Sequence, residues 1–376
     1  MILTNCRVVT RYEVFEGSVH VENGVIKAVD VGRCSLPEAI DLEGDLLLPG
    51  LIEVHTDNLE KHMVPRPKVL WPSPLAALLA HDTQVCGAGI TTVFDAIFLG
   101  SDYQGGVRPK IVKSSIEAVQ QARGLGVLRA DHLLHLRCEV SEEGVMIYFE
   151  PYITDPSVKL VSLNDHTPGQ RQWRDIESFR TYHQDKNFSD DDVAAIIASR
   201  REAQQRCAAP NRRRIIEICR GVDVPLASHD DTTVEDVLEA AAEGVTISEF
   251  PTTMEAASAA NEKGLKIVAG APNVLRGGSH SGNISALDLA KAGLLDALSS
   301  DYVPAGLLHA AFLLHTGLGF DLPEAIAKVT SNPAEMVRLN DRGQVAPGRR
   351  ADLVRVRMCD DVPVVRSVWR EGQRVS

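Results

Sequence analysis

An imidazole and a carboxylate two residues apart, His55 and Asp57, stand at the end of the apolar run Leu51-Ile52-Glu53-Val54. Alternate residues of a strand share a face, so a strand here would turn both side chains into one cavity. That pair of donors suits a divalent cation such as Zn²⁺ or Mn²⁺. Three more ligand types end β-rich runs downstream: Glu139 after Leu133–Cys138, His166 after Lys159–Asp165, and His229 within Val224–Asp230. A lone histidine at a strand end is more often structural than ligating, but four such ends carrying His or carboxylate favour convergence on metal. The inventory fits two ions bridged by a carboxylate, zinc first, with manganese or iron also compatible. A cation so held lowers the pKa of a bound water to near neutrality, and Asp301, after Ser299-Ser300, is placed to accept its proton. Asp301 also reads as an N-cap for a helix beginning near Pro304.

Convergence requires an architecture that gathers strand ends. Beyond the opening run at 46–58, β-rich stretches recur at 89–95, 133–139, 159–165, 224–230, 245–250, 265–270 and 294–301, with helical patterns such as 234–241 and 304–311 beside them. Eight such stretches predict a parallel (β/α)₈ barrel, whose strand C-termini share the catalytic face. His55, Asp57, Asp95, Glu139, Asp165, His166, His229 and Asp301 are all expected on it. The one long departure, from about Gly169 to Gly221, is charged and helical in pattern and could lid the site.

Outside the barrel, Asn23-Gly24 between alternating runs is a hairpin signal. The far end, from Gly348 to the turn Glu371-Gly372, repeats the β pattern. Both termini are expected to build one small β-sandwich domain, residues 1–50 and 336–376, flanking a barrel over 51–335. Two separate strand pairs packed on the barrel are the simpler alternative.

With 39 basic against 51 acidic residues and a net charge of −12, the surface repels nucleic acid and anionic membrane. Seven cysteines without a CxxC pair read as reduced thiols, and no apolar run reaches the length of a membrane span. These features predict a soluble, cytoplasmic protein; a homo-oligomer is compatible with them.

The chain resembles the amidohydrolase superfamily through Leu48–His55, His229, Asp301 and the closing Ala346–Val354 segment. Within it, His55–His62, Asp165–Gln170 and Pro272–Asn283 are similar to the branch of α-D-ribose 1-methylphosphonate 5-triphosphate diphosphatases of the carbon-phosphorus lyase pathway. The resemblance implies a metal-dependent barrel that releases pyrophosphate from a small-molecule ribose triphosphate. Three departures from the broad superfamily bear on the ligands. The usual His-x-His is His55-x-Asp57, Lys159 lies too early to be a carboxylated bridge, and Ser248-Glu249-Phe250 stands where a histidine is common. Glu139 is then the natural bridge, and His166 the substitute imidazole.

A polyanionic substrate in an acidic protein requires local cations. Lys61, His62 and Arg66 follow the first strand, Arg171 and Arg174 the fourth, and Arg276 with His280 the seventh. Gly277-Gly278-Ser279 can offer backbone N–H groups to phosphate oxygens. Two other readings share the barrel: a hydrolase of C–N bonds, such as a cyclic amide hydrolase or deaminase, and a non-catalytic binding barrel.

Overall fold

The computed structural model describes residues 1–66, 69–100, 108–171, 189–279 and 282–376. Five strands come first: β1 (Ile2–Val9), β2 (Val14–Glu22), β3 (Val25–Val31), β4 (Ile40–Asp41) and β5 (Leu46–Pro49). The Asn23-Gly24 hairpin joins β2 to β3 with Glu22 opposite Val25, both turn residues at positive φ (50° and 77°) as a tight hairpin turn requires. Gly50 then separates β5 from β6 (Leu51–Thr56), and the two strands enter different sheets. The opening run is therefore two strands and not one. A Cβ at Gly50 would lie 2.1 Å from Thr91 Oγ1, so only glycine allows this close crossing.

The barrel follows: β6, β7 (Ile90–Leu99), β8 (Asp131–Glu139), β9 (Val158–Asn164), β10 (Leu226–His229), β11 (Ile247–Glu249), β12 (Lys266–Gly270) and β13 (Ala297–Ser299). They pair in parallel, each with its successor. A parallel bridge between Thr56 and Asp301 joins the last strand to the first. This is the expected (β/α)₈ barrel. Its interior is plugged by Ile52, Val54, Phe94, Leu133, Leu160, Ala227, Ile247, Val268 and Ala297. One further difference concerns Asp95: the apolar continuation Ala96-Ile97-Phe98-Leu99 extends β7, which leaves Asp95 in mid-strand, facing the helix Pro74–Gly87 outside the barrel.

β14 (Leu353–Cys359), β15 (Val362–Arg370) and β16 (Gln373–Arg374) return to the first sheet, whose order is β16-β15-β14-β5-β1-β2-β3, with β4 on β1. Both termini thus build one sheet, as expected. It has its own core, which includes Leu3, Val8, Val19, Ile26, Leu47, Leu353 and Trp369. The charged excursion is in part a long helix, Asp190–Val222, begun by a capping box between Ser189 and Asp192. The lid expectation for its first part falls on residues 172–188, outside the described residues. All seven cysteines are free thiols. Among the described residues, no helix is long and apolar enough to cross a membrane.

Candidate metal centre

The first strand is held before it presents anything. Glu53, fully buried, accepts from the His55 backbone N–H (2.7 Å), from Ser299 Oγ (2.9 Å) and from the Ser300 backbone N–H (2.5 Å). Burial drives its pKa up to about 7, even though these donors favour the ionised form. The clamp ties β6 to β13, and Thr56 Oγ1 adds a bond to the Asp301 carbonyl (2.7 Å). His55 and Asp57 then emerge on one side, 3.9 Å apart, as the two-residue spacing predicts.

His55 Nδ1 lies 3.2 Å from Glu249 Oε1, and its ring packs edge-on against His135 at 5.0 Å. His229 Nδ1 is 3.0 Å from Asp230 Oδ2, and His166 Nε2 approaches the same oxygen at 3.9 Å. His166 Nδ1 meets Glu139 Oε2 at 2.6 Å. Among the described residues three constellations hold metal-type atoms within 4.8 Å of one another: His55, His135 and Glu249, and His166, His229 and Asp230 at the mouth, and His81, Asp95 and His132 on the outer wall. Glu139 is a partner of His166 in this arrangement. Asp57 accepts from Arg137 Nη1 at 2.8 Å.

Protonation follows burial and neighbours. Burial drives the pKa of His55 and of His135 down to about 3 and lowers that of His229, which leaves neutral imidazoles with lone pairs to offer. His166 moves the other way: burial opposes its charge, but the Glu139 carboxylate outweighs burial and raises its pKa. Burial also works against ionised Asp57, yet the Arg137 guanidinium holds its carboxyl below the usual value. Asp301 is pushed up to about 7 by burial and then by the nearby Asp57 charge. The buried Glu249 Oε2 has no hydrogen-bond partner. Neutral imidazoles, carboxylates and an unanswered carboxylate oxygen together fit a divalent cation.

Asp230, Phe250 and Asp301, at the ends of β10, β11 and β13, have positive φ of 57°, 54° and 54°. Non-glycine residues reach this region at a cost, and three around one rim mark backbone bent to aim side chains inward. The helix after Asp301 is Gly306–Leu318 with Ala305 at its N-cap, so Asp301 does not cap it.

The expected cationic ring is less uniform. Lys61, exposed, bonds to the Tyr302 carbonyl at 2.9 Å, beside Asp301. Arg66 and Arg276 are exposed, and Arg276 ends the helix Ala271–Arg276. His62 turns aside to Gln84 (2.9 Å). Arg171 is buried against Asp231 beneath the His229 carbonyl, so it braces the β10 loop and does not reach toward a ligand. Arg174 and His280 lie outside the described residues.

Sequence reasoning passed over Arg137, His135, Asp230 and Glu249. The signal for the first two was present, since His135, Arg137 and Glu139 alternate along β8 and so share its inward face.

The amidohydrolase family model matches residues 179–376. The α-D-ribose 1-methylphosphonate 5-triphosphate diphosphatase of Escherichia coli (strain K12) is 46% identical over 378 residues, covering 100% of both chains. The dihydroorotase of Methanopyrus kandleri is 35% identical over 101 residues, 22% of this chain and 23% of its own. Among solved structures, the 5-methylcytosine deaminase from Klebsiella pneumoniae with phosphonocytosine superposes at TM-score 0.66. That match has 15% identity and covers 100% of this chain and 98% of the other. The N-isopropylammelide isopropylaminohydrolase from Burkholderia multivorans gives 0.64 at 16% identity, over 99% and 97%. These two share the barrel architecture. With more than half its length matched by the family model and all of it aligned to one relative at nearly half identity, the chain belongs to the amidohydrolase family.

Proposed function

We propose that this chain is a metal-dependent hydrolase that releases pyrophosphate from α-D-ribose 1-methylphosphonate 5-triphosphate in phosphonate catabolism, working in the cytoplasm. The observation that carries the reading is the full-length, 46% identical diphosphatase relative. The buried, neutral imidazoles facing carboxylates at the barrel mouth support it independently.

His55, Asp57, Glu139, His166 and His229, joined by Asp230 and Glu249, are the residues proposed to surround the metal, with zinc favoured by the nitrogen and oxygen donor set. When bound, the cation supplies Lewis acidity toward a phosphoryl oxygen and a more acidic water. Asp301 has the role of proton acceptor. It sits at the β13 end beside Asp57 with a pKa near 7, suited to taking a proton at neutral pH and giving it to the oxygen of the P–O–P bond that breaks. Lys61 is anchored over the Tyr302 ring at 4.7 Å, and with Arg66 and Arg276 it supplies positive charge to the polyphosphate.

The test is to incubate metal-loaded protein with a panel of ribose and nucleoside 5-triphosphates and follow pyrophosphate by phosphorus NMR. Release from the phosphonate-bearing ribose triphosphate is expected. No pyrophosphate from any of them, with ammonia or amide cleavage from C–N substrates instead, sinks this reading.

A further inference from the structure

A two-ion centre meets an obstacle inside the barrel. Arg137 rises from the inward face of β8, two residues before Glu139, with its side chain only 12% exposed. Its Nη1 donates to Asp57 Oδ1 at 2.8 Å, and its Nη2 lies 3.5 Å from His229 Nε2. One guanidinium thus spans a carboxylate from the first barrel strand and an imidazole from the fifth. A guanidinium keeps its charge at any pH the protein tolerates. Around it stand the carboxylates of Asp57, Asp230, Glu249 and Asp301, which stabilise that charge.

We propose that Arg137 fills the cation position beside Asp57, so that the centre takes a single divalent ion, on the side of His166, His229 and Asp230. The inference rests on the metal-dependent reading above and goes beyond it in the number of ions and the role of Arg137. A second divalent ion bound to Asp57 would sit within a few ångströms of a buried, permanent positive charge, a separation well inside the screening length, where like charges repel. It would also have to take Asp57 from a charge-assisted hydrogen bond, leaving the guanidinium buried without its partner.

The choice of side follows from access. His55, His135 and Glu249 are fully buried. His166 keeps a quarter of its side chain exposed at the mouth. Its Nε2 faces Asp230 Oδ2 at 3.9 Å, a gap that an ion about 2.0–2.2 Å from each ligand can span. Asp57 becomes a positioning residue in this arrangement. It orients Arg137, and the guanidinium adds a positive charge beside the ion for the polyphosphate of the substrate.

The test counts ions. The full chain is loaded with Mn²⁺ or Zn²⁺, freed of excess by gel filtration, and analysed for metal per chain, with electron paramagnetic resonance on the manganese form. One equivalent with an isolated six-line spectrum is expected for the wild type and for Arg137→Lys. Two equivalents with spin-coupled signals are expected for Arg137→Met, where the position is vacated. Two ions in the wild type or in Arg137→Lys, or one in Arg137→Met, overturns the proposal. Should Arg137→Met not fold, the wild-type count decides alone. No ion in any form overturns the metal-dependent reading and this proposal with it, whereas a second ion in the wild type removes only this one.

Discussion

The molecule carries two clusters of histidine and carboxylate, and they differ in what is left unanswered. At the barrel mouth, burial suppresses the charge of His55, His135 and His229, and Glu249 Oε2 has no partner. On the outer wall, beneath the helix Pro74–Gly87, the same residue types close on themselves. Asp95 accepts from His81 Nε2 and His132 Nδ1, both at 2.8 Å, and His132 Nε2 faces Asp82 at 3.4 Å. Asp82 in turn takes the Arg129 and Ala130 backbone N–H groups, each at 2.9 Å. Burial works against a charged His132, but the charges of Asp95 and Asp82 and the bond to Asp95 prevail and raise its pKa to about 9. On the wall the Asp82 and Asp95 carboxylates are answered by imidazoles and backbone N–H groups, although His132 Nε2 makes no hydrogen bond of its own, while the mouth keeps a carboxylate oxygen with no donor. Composition does not separate the two; what does is whether the carboxylates have donors and the imidazoles are charged.

Removing metal probes the contrast most strongly. Dialysis against a chelator should abolish turnover and lower the melting temperature, and re-addition of Zn²⁺ or Mn²⁺ should restore both; turnover that survives complete chelation places the wall and the mouth on an equal footing. Next is Asp301→Asn, expected to cost about 10²–10⁴-fold in kcat with ion content unchanged. Full turnover in a metal-loaded Asp301→Asn removes Asp301 as the base.

The wall should respond in the opposite sense. Asp95→Ala leaves a buried imidazolium without its partner and should destabilise the fold by about 3–5 kcal/mol in urea unfolding, while metal per chain stays at the wild-type value. A drop in bound metal with little loss of stability would falsify the division drawn between the clusters. The smallest effect is in pH. The His132 pKa is raised in the folded state, from about 6.5 to about 9, so its contribution is complete below pH 6.5 and is lost as pH rises through 9. That contribution is about 3 kcal/mol. Asp95 has a folded pKa depressed to about 2, so its contribution holds above about pH 4 and fades as pH falls through 2. A melting temperature that is flat from pH 6.5 to 9 in wild type, or equally sloped in His132→Gln, removes His132 as the cause.

These contrasts also show what a linear chain discloses. The barrel strands were legible because buried parallel strands need near-continuous apolar runs, and each run here ends in polar residues. His55-x-Asp57 was legible because period two is a property of the strand itself. The role of Arg137 was not: its spacing with Glu139 places it on the inward face of β8, but its partner Asp57 lies 80 positions away. The wall cluster was equally hidden, since His81, Asp82, Asp95 and His132 each look ordinary until helix and strands pack. Asp95 was even assigned to the mouth, because a charged residue within the run reads as a strand end, although Ala96-Ile97-Phe98-Leu99 continues it. Arg171 was read by its charge alone, and the nearby Asp231 that binds it follows a different strand.

The crossing at Gly50 also sets an order of events at synthesis. β5 lies between β1 and β14, and the Gly50 N–H that begins the metal-presenting stretch donates to the Asp352 carbonyl at 2.8 Å. β14 leaves the ribosome some 300 residues after β5, roughly 15–60 s at about 5–20 residues per second. Through that interval one edge of β5 lacks its native partner, a template for pairing with other chains. The footing of the strand that bears His55 and Asp57 is thus completed only after the whole barrel has been made, and protection of that edge until then would favour correct folding.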